Sequence, residues 1–223
     1  MSLGRILLLA VSVLVLFGTG QRVLDRMRLT DRQALLVMAA IFVGGWIPSI
    51  PLGSHVSVNI GGALVPMALC AVLFLRAGTA KERLRAAVAS LISAAAVLAL
   101  GWFWPAEPEQ MPFDVNALYG LAAGLIAYLL GRSRISSFIA GVMGVLLADI
   151  AQAVISAVRG VAFDLNLGGA GAMDAVVLAG LSAVLLSEWL GTLMERLSGG
   201  GERHAEIHQG KQVLTARERG QKK

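Results

Sequence analysis

The sequence is poor in charge. Only 15% of its 223 residues are Asp, Glu, Lys or Arg, against about one quarter in soluble domains. It has a single cysteine, Cys70, which excludes an internal disulfide and a multi-cysteine metal site. That thiol lies in an apolar run, a setting for inert packing rather than redox chemistry. There is no phosphate-binding glycine loop and no nucleophile-triad motif. His204 and His208 stand at i and i+4, a spacing that serves metal sites on helices, but without a His-Glu-x-x-His arrangement or a third strong ligand nearby. No metal and no cofactor are therefore expected. The net charge of +5 does not point to nucleic acid, because the basic residues fall in short clusters between apolar runs.

What is abundant is apolar sequence, 57% of the chain. Seven runs approach the roughly 20 residues needed to cross a bilayer, allowing for tilt. They cover residues 3–19, 33–47, 59–75, 86–104, 115–131, 137–157 and 170–190. The second is short, and its Trp46-Ile47-Pro48 end runs on into an irregular IPSIPLGSHVSV segment. The first has Arg5 before an apolar core, as a signal peptide does, yet it lacks a clean small-x-small cleavage site and more spans follow, so it reads as a retained helix. The fold class expected is all-α: a polytopic transmembrane helix bundle of about seven spans over residues 1–197, with a flexible basic tail over 198–223 that begins at Gly199-Gly200-Gly201.

Lys and Arg set the orientation. Arg22, Arg26, Arg28 and Arg32 precede the second run, and Arg76, Lys81, Arg83 and Arg85 follow the third. Arg132 and Arg134 precede the sixth, and seven more basic residues lie in the tail. All these fall on one side of a seven-span path, leaving Arg5 and Arg159 opposite. The positive-inside rule then places the N-terminus outside and the C-terminus in the cytoplasm of a cell membrane. Trp46, Trp102, Trp104 and Tyr119 would line the outer interface, and Tyr128 and Trp189 the inner one, as amphipathic rings prefer. The steps Gly120/Gly124 and Ser137/Gly141 allow close helix packing.

Two aspartates stand inside apolar runs. Asp149 lies about eight residues from the outer end of its run, roughly 12 Å deep at the helical rise. Asp174 lies about five to seven residues into the next run, roughly 7–11 Å deep. An ionisable group at membrane depth is costly and is a functional candidate by default. Gln152 and Ser156 follow Asp149 at i+3 and i+7, a polar stripe on one helix face. The two runs form an antiparallel pair, so the carboxyls can face each other at similar depth. Two facing carboxylates in low dielectric share one proton and can work as acid and base on water and an amide. A proton-coupled transporter uses the same physics to load and release H⁺. The plainer alternative is that each Asp hydrogen-bonds groups within the bundle, in a scaffold or partner-binding protein.

A short echo joins the two halves. Val58-Asn59-Ile60-Gly61-Gly62-Ala63 matches Leu165-Asn166-Leu167-Gly168-Gly169-Ala170. Both copies stand where an outer loop enters a helix. Asn caps helix starts, and paired glycines permit close backbone approach. Corresponding Gly-interrupted segments in two halves of a membrane protein can mark a binding site. In this register Met67 corresponds to Asp174, and Pro66 just before it would leave a carbonyl free inside a span. Asn59, Gly61, Gly62, Pro66, Gln152, Asn166, Gly168 and Gly169 are therefore expected to border one outer cavity with Asp149 and Asp174. Coincident capping needs and a kinked packing helix are the simpler account of the same residues.

The segments RVLDRMRLTDRQALL, IPSIPLGSHVSVNIGGALVP, FIAGVMGVLLADI and GGAGAMDAVVLAG resemble a family of small multi-pass membrane proteins of bacteria and archaea. The resemblance covers the chain to about Gly200. It implies a prokaryotic cytoplasmic-membrane location and no activity. Ala148-Asp149, Gly171-Ala172-Met173-Asp174 and Pro66-Met67-Ala68-Leu69 are also similar to the three motifs of presenilin and signal-peptide-peptidase intramembrane aspartyl proteases. The match departs from that pattern. The tyrosine is missing, Met173 replaces a glycine, Met67 interrupts the third motif, and the proline helix precedes the aspartates. The resemblance implies a membrane-embedded Asp149/Asp174 dyad acting on a transmembrane peptide; the alternative partner is a small solute.

Overall fold

In a computed structural model, the described residues are Met27, 29–103, 115–131, 133–171 and 174–190. The first apolar run, the acidic stretch from Glu107 to Asp114, Arg132 and the basic tail lie outside them. The chain divides into two compact units, Met1–Ser187 and Glu188–Lys223. The second is described only at Glu188–Leu190, which are helical, and the expected boundary after residue 197 lies outside the described residues.

The described chain is mostly helical, and several helices begin where the sequence supplies a cap. Helix α1, Asp31–Gly44, starts with a reciprocal capping box. The Thr30 hydroxyl accepts from the Gln33 N–H at 3.3 Å, and the Gln33 side chain accepts from the Thr30 N–H at 3.2 Å. Two short strands follow, β1 (Ile50–Pro51) and β2 (Val56–Val58), paired antiparallel about the Gly53-Ser54 turn. A π-helical turn, Ile60–Leu64, then leads into α2, Val65–Arg76. Pro66 falls in the first turn of α2, where a missing N–H costs little. The wide turn before it closes through the Asn59 carbonyl, which accepts from both Ala63 and Leu64.

Helix α3, Ala80–Phe103, follows after a tight turn. Arg83 reaches back to the Leu75 and Ala77 carbonyls, answering the free acceptors at the end of α2. Then come α4 (Val115–Gly131), α5 (Arg134–Val158), strand β3 (Leu165–Leu167) and α6 (Ala175–Leu190). Each of the six apolar runs within the described residues thus holds a helix. Two of these helices, α3 and α5, are long and apolar enough to cross a membrane by length and composition. At 24 and 25 residues they measure about 36 Å. The other four are apolar and shorter.

The expectation of a purely helical chain needs correction at one place. β3 adds to β2 in parallel, giving a three-stranded sheet in the order β1-β2-β3. The IPSIPLGSHVSV stretch, rich in proline and β-branched residues, resists helix. The second strand needs a partner, which arrives from more than a hundred residues away. Leu165 N–H donates to the His55 carbonyl and Asn59 N–H to the Leu167 carbonyl, so the ladder extends past both ends of the strands.

The basic residues gather at one end of the helices, with Arg159 at the end of α5 the exception among those described. The start of α1 meets the end of α2 through Arg76 and Gln33, and the start of α3 meets that of α5 through a 2.7 Å bond from the Ser133 hydroxyl to Glu82. Arg76, Lys81, Arg83, Arg85 and Arg134 belong to these ends. The sheet lies at the opposite end. Helix α5 is the centre of the bundle, packed on α2, α3 and α4. Its first half is buried nearly all round, from Ile135 to Val142, while Ile150, Val154 and Val158 in its second half are exposed. Glycines set the closest approaches. A Cβ on Gly120 or Gly124 would strike Leu178 or Ser182 of α6, and one on Gly141 would strike the Ala179 carbonyl. Large apolar side chains such as Leu36, Leu75, Leu91 and Leu129 stand outward on the helices.

The two echo segments touch backbone to backbone. A Cβ on Gly62 would run into the Gly168 carbonyl, and one on Gly168 into the Gly62–Ala63 peptide. Gly168 also has φ of 69°, in the left-handed region. Gly168→Ala combines that strain, about 1–3 kcal/mol, with a backbone collision. In detergent its thermal midpoint should fall several degrees below wild type. Gly53→Ala, whose Cβ meets nothing within 4 Å, should melt with wild type. Equal midpoints for Gly168→Ala and wild type would show that this contact is dispensable.

Candidate functional site

The second half of α5 carries Asp149, Gln152 and Ser156 on one face, because residues spaced by three and four recur on the same side of a helix. All three line a cavity of about 530 Å³. Its other walls are the end of α3 from Val97 to Trp102, Tyr119 of α4, the Phe163–Asn166 loop, and Asp174 with Ala175 at the start of α6. The cavity therefore sits at the sheet end of the bundle, opposite the basic end.

Asp174 is placed differently from its expected position inside a span. Gly168 and Gly171 both take left-handed φ and turn the chain, so the helix begins at Ala175, not near residue 170. Asp174 is the residue before that start and caps it. Its Oδ1 accepts from the Val176 N–H at 2.9 Å and its Oδ2 from the Ala170 N–H at 3.2 Å. Its side chain is buried, with 9% of the residue exposed. Asp149 is half-buried in an unbroken helix, and among the described residues no donor hydrogen-bonds to its carboxyl. The two carboxyls are close enough for their charges to repel. One is thus fixed by backbone dipoles, and the other is left to face the cavity.

Of the residues expected around this cavity, Asp149, Asp174, Gln152 and Asn166 line it. Asn59, Gly61, Gly62, Pro66, Gly168 and Gly169 are not among its lining residues. Close packing is the reason. The Asn59 side chain accepts from the Gly62 N–H at 2.9 Å and donates to the Ile47 carbonyl at 3.1 Å. Gly61 lies against the end of α1, Gly62 against Gly168, and Gly169 against the Asn166 amide. Pro66 is fully buried. Gly62 and Gly168 seat the two entry segments on each other.

Sequence reasoning also missed part of the rim. His55 of the β1–β2 turn hydrogen-bonds Asp164 at 3.1 Å and leans on the Phe163 ring at 6.0 Å. Asp164 and Phe163 line the cavity, so the hairpin of one half braces the loop of the other. The partners are 109 positions apart, and the only signal was the strand pattern on each side. Among the described residues, no three His, Cys, Asp or Glu side chains gather as metal ligands.

Residues 21–186 match the family described as Protein of unknown function (DUF1614), and the chain belongs to that family. No curated protein and no solved structure matches the sequence.

The capping role makes a clear expectation for stability. Asp174→Ala removes both acceptors at the start of α6 and should cost about 0.5–2 kcal/mol. Asp174→Asn keeps one acceptor oxygen and should cost less. Unfolding in detergent, followed by tryptophan fluorescence, orders the three proteins. An alanine variant as stable as wild type would remove the capping role.

Proposed function

We propose that this member of the family is a multi-pass membrane protein of the cytoplasmic membrane whose Asp149/Asp174 cavity takes up a small solute with coupled movement of a proton. Seven spans, an outside N-terminus and a cytoplasmic tail complete the reading. Two helices of spanning length and the outward apolar side chains on the bundle support it, because a soluble monomer seldom exposes so many. The basic residues at one end support the orientation, with the cavity then toward the outer face.

The observation that carries the activity is the inequality of two carboxyls in one cavity. Both Asp174 oxygens are engaged by backbone N–H groups, whereas among the described residues no donor bonds the Asp149 carboxyl. A protease dyad needs two carboxyls that act in turn on one water. A carrier needs one carboxyl free to exchange a proton, beside a fixed negative charge. The arrangement favours the carrier, and the dyad and a scaffold role become outcomes of the test.

Proteoliposomes loaded with a pH-sensitive dye would be offered amines, sugars and carboxylic acids in turn. At least one should move protons, and Asp149→Asn should slow that movement at least tenfold. No movement, with cleavage of a reporter transmembrane peptide that Asp149→Ala and Asp174→Ala abolish, would replace the carrier by a protease. Neither activity, in folded protein, would leave a scaffold.

Orientation has its own check. In a Cys70→Ala background, Gly53→Cys should react with an impermeant maleimide on intact cells. Reaction only after permeabilisation would reverse the topology.

A further inference from the structure

We infer that the cavity walled by α3, α4, α5 and the start of α6 recognises a small organic cation, an amine or quaternary ammonium. The inference rests on the solute-carrier reading and names the class of solute. Charge, wall chemistry and size each bear on it.

The described lining contains three aspartates and no Lys, Arg or His. Asp164 already has His55 as a partner. Asp149 and Asp174 have no cation among the described lining residues, so a carboxylate ionised in that space is answered only by what binds there. An anion would be repelled there, and a neutral solute would leave the charge as it stands.

The walls supply the second observation. Trp102 comes from α3, Tyr119 from α4 and Phe163 from the loop before β3. Three elements distant in sequence thus each bring an aromatic ring to one space. Ring faces attract organic cations, quaternary ammonium groups above all. They contribute nothing to the oxygen shell that a hard metal ion requires. Gln152, Ser156 and Asn166 add hydrogen-bonding groups for a substituent such as a hydroxyl.

Size decides between an inorganic and an organic cation. A volume of about 530 Å³ lies within the roughly 300–1,000 Å³ of small-molecule pockets. It is many times the roughly 30 Å³ that one water occupies. With no group of three metal-ligand side chains among the described residues, a bare ion would float in a space it cannot fill.

The test is equilibrium binding to the full chain in detergent, which needs no transport. The probes are choline and its uncharged isostere 3,3-dimethyl-1-butanol, followed by calorimetry and tryptophan fluorescence. Choline should bind saturably and at least tenfold more tightly than the alcohol. Asp149→Asn should weaken choline at least tenfold and leave the alcohol unchanged. Trp102→Leu, at an exposed rim position where folding is not at stake, should weaken choline severalfold. Equal binding of the two probes would overturn the inference, as would no binding of choline, methylammonium or tetramethylammonium. If those probes fail while an uncharged solute still drives proton movement in proteoliposomes, the cation inference falls and the carrier reading stands. If saturable choline binding occurs without any proton movement, the cation site stands and the carrier reading falls.

Discussion

The structure depends on a backbone contact between two glycines. Gly62 and Gly168 meet where two extended segments turn into helices, and neither position has room for a side chain. That contact brings β3 beside β2, and through it fixes the start of α6 relative to the start of α2. The Gly171 turn, itself pressed against Gly45 at the end of α1, then aims Asp174 at the face of α5 that carries Asp149. The cavity is a by-product of this seating. The entry segments touch along their glycines, and the gap between α3, α5 and the stretch from Phe163 to Asn166 is what remains.

The two aspartates show how one residue type takes two roles from its backbone setting. At a helix start, free N–H groups are waiting and Asp174 accepts them. Within α5 every N–H is already used by the helix, so the Asp149 carboxyl can turn only outward, to the cavity. Gln152 and Ser156 share that outlook. The polar half-face of α5 begins where its all-round burial ends, and that boundary locates the cavity along the helix.

Much of the helical framework is legible in the sequence. Each apolar run within the described residues holds a helix, and Thr30 and Ser133 announce two of the starts. The common face of Asp149, Gln152 and Ser156 can be read from their spacing alone. The sheet is less legible, because Leu165-Asn166-Leu167 is only three residues of alternation and acquires a ladder only from β2. Asp174 was misplaced because Gly168-Gly169-Ala170-Gly171-Ala172-Met173 is apolar by composition and so reads as the start of a span. Gly168 and Gly171 instead turn the chain in left-handed φ. The capping preference of aspartate just before an apolar run is the signal that separates these readings. Distant partnerships such as His55 with Asp164 leave no local signature beyond the strand pattern on each side.

The register of the two echo copies has a consequence for how this region can change. Val58 corresponds to Leu165 in sequence but pairs with Leu167 in the sheet, a slide of two residues. Strand side chains alternate with a period of two, so this slide preserves which residues point to which side. A slide of one would exchange the faces of every residue on the strand.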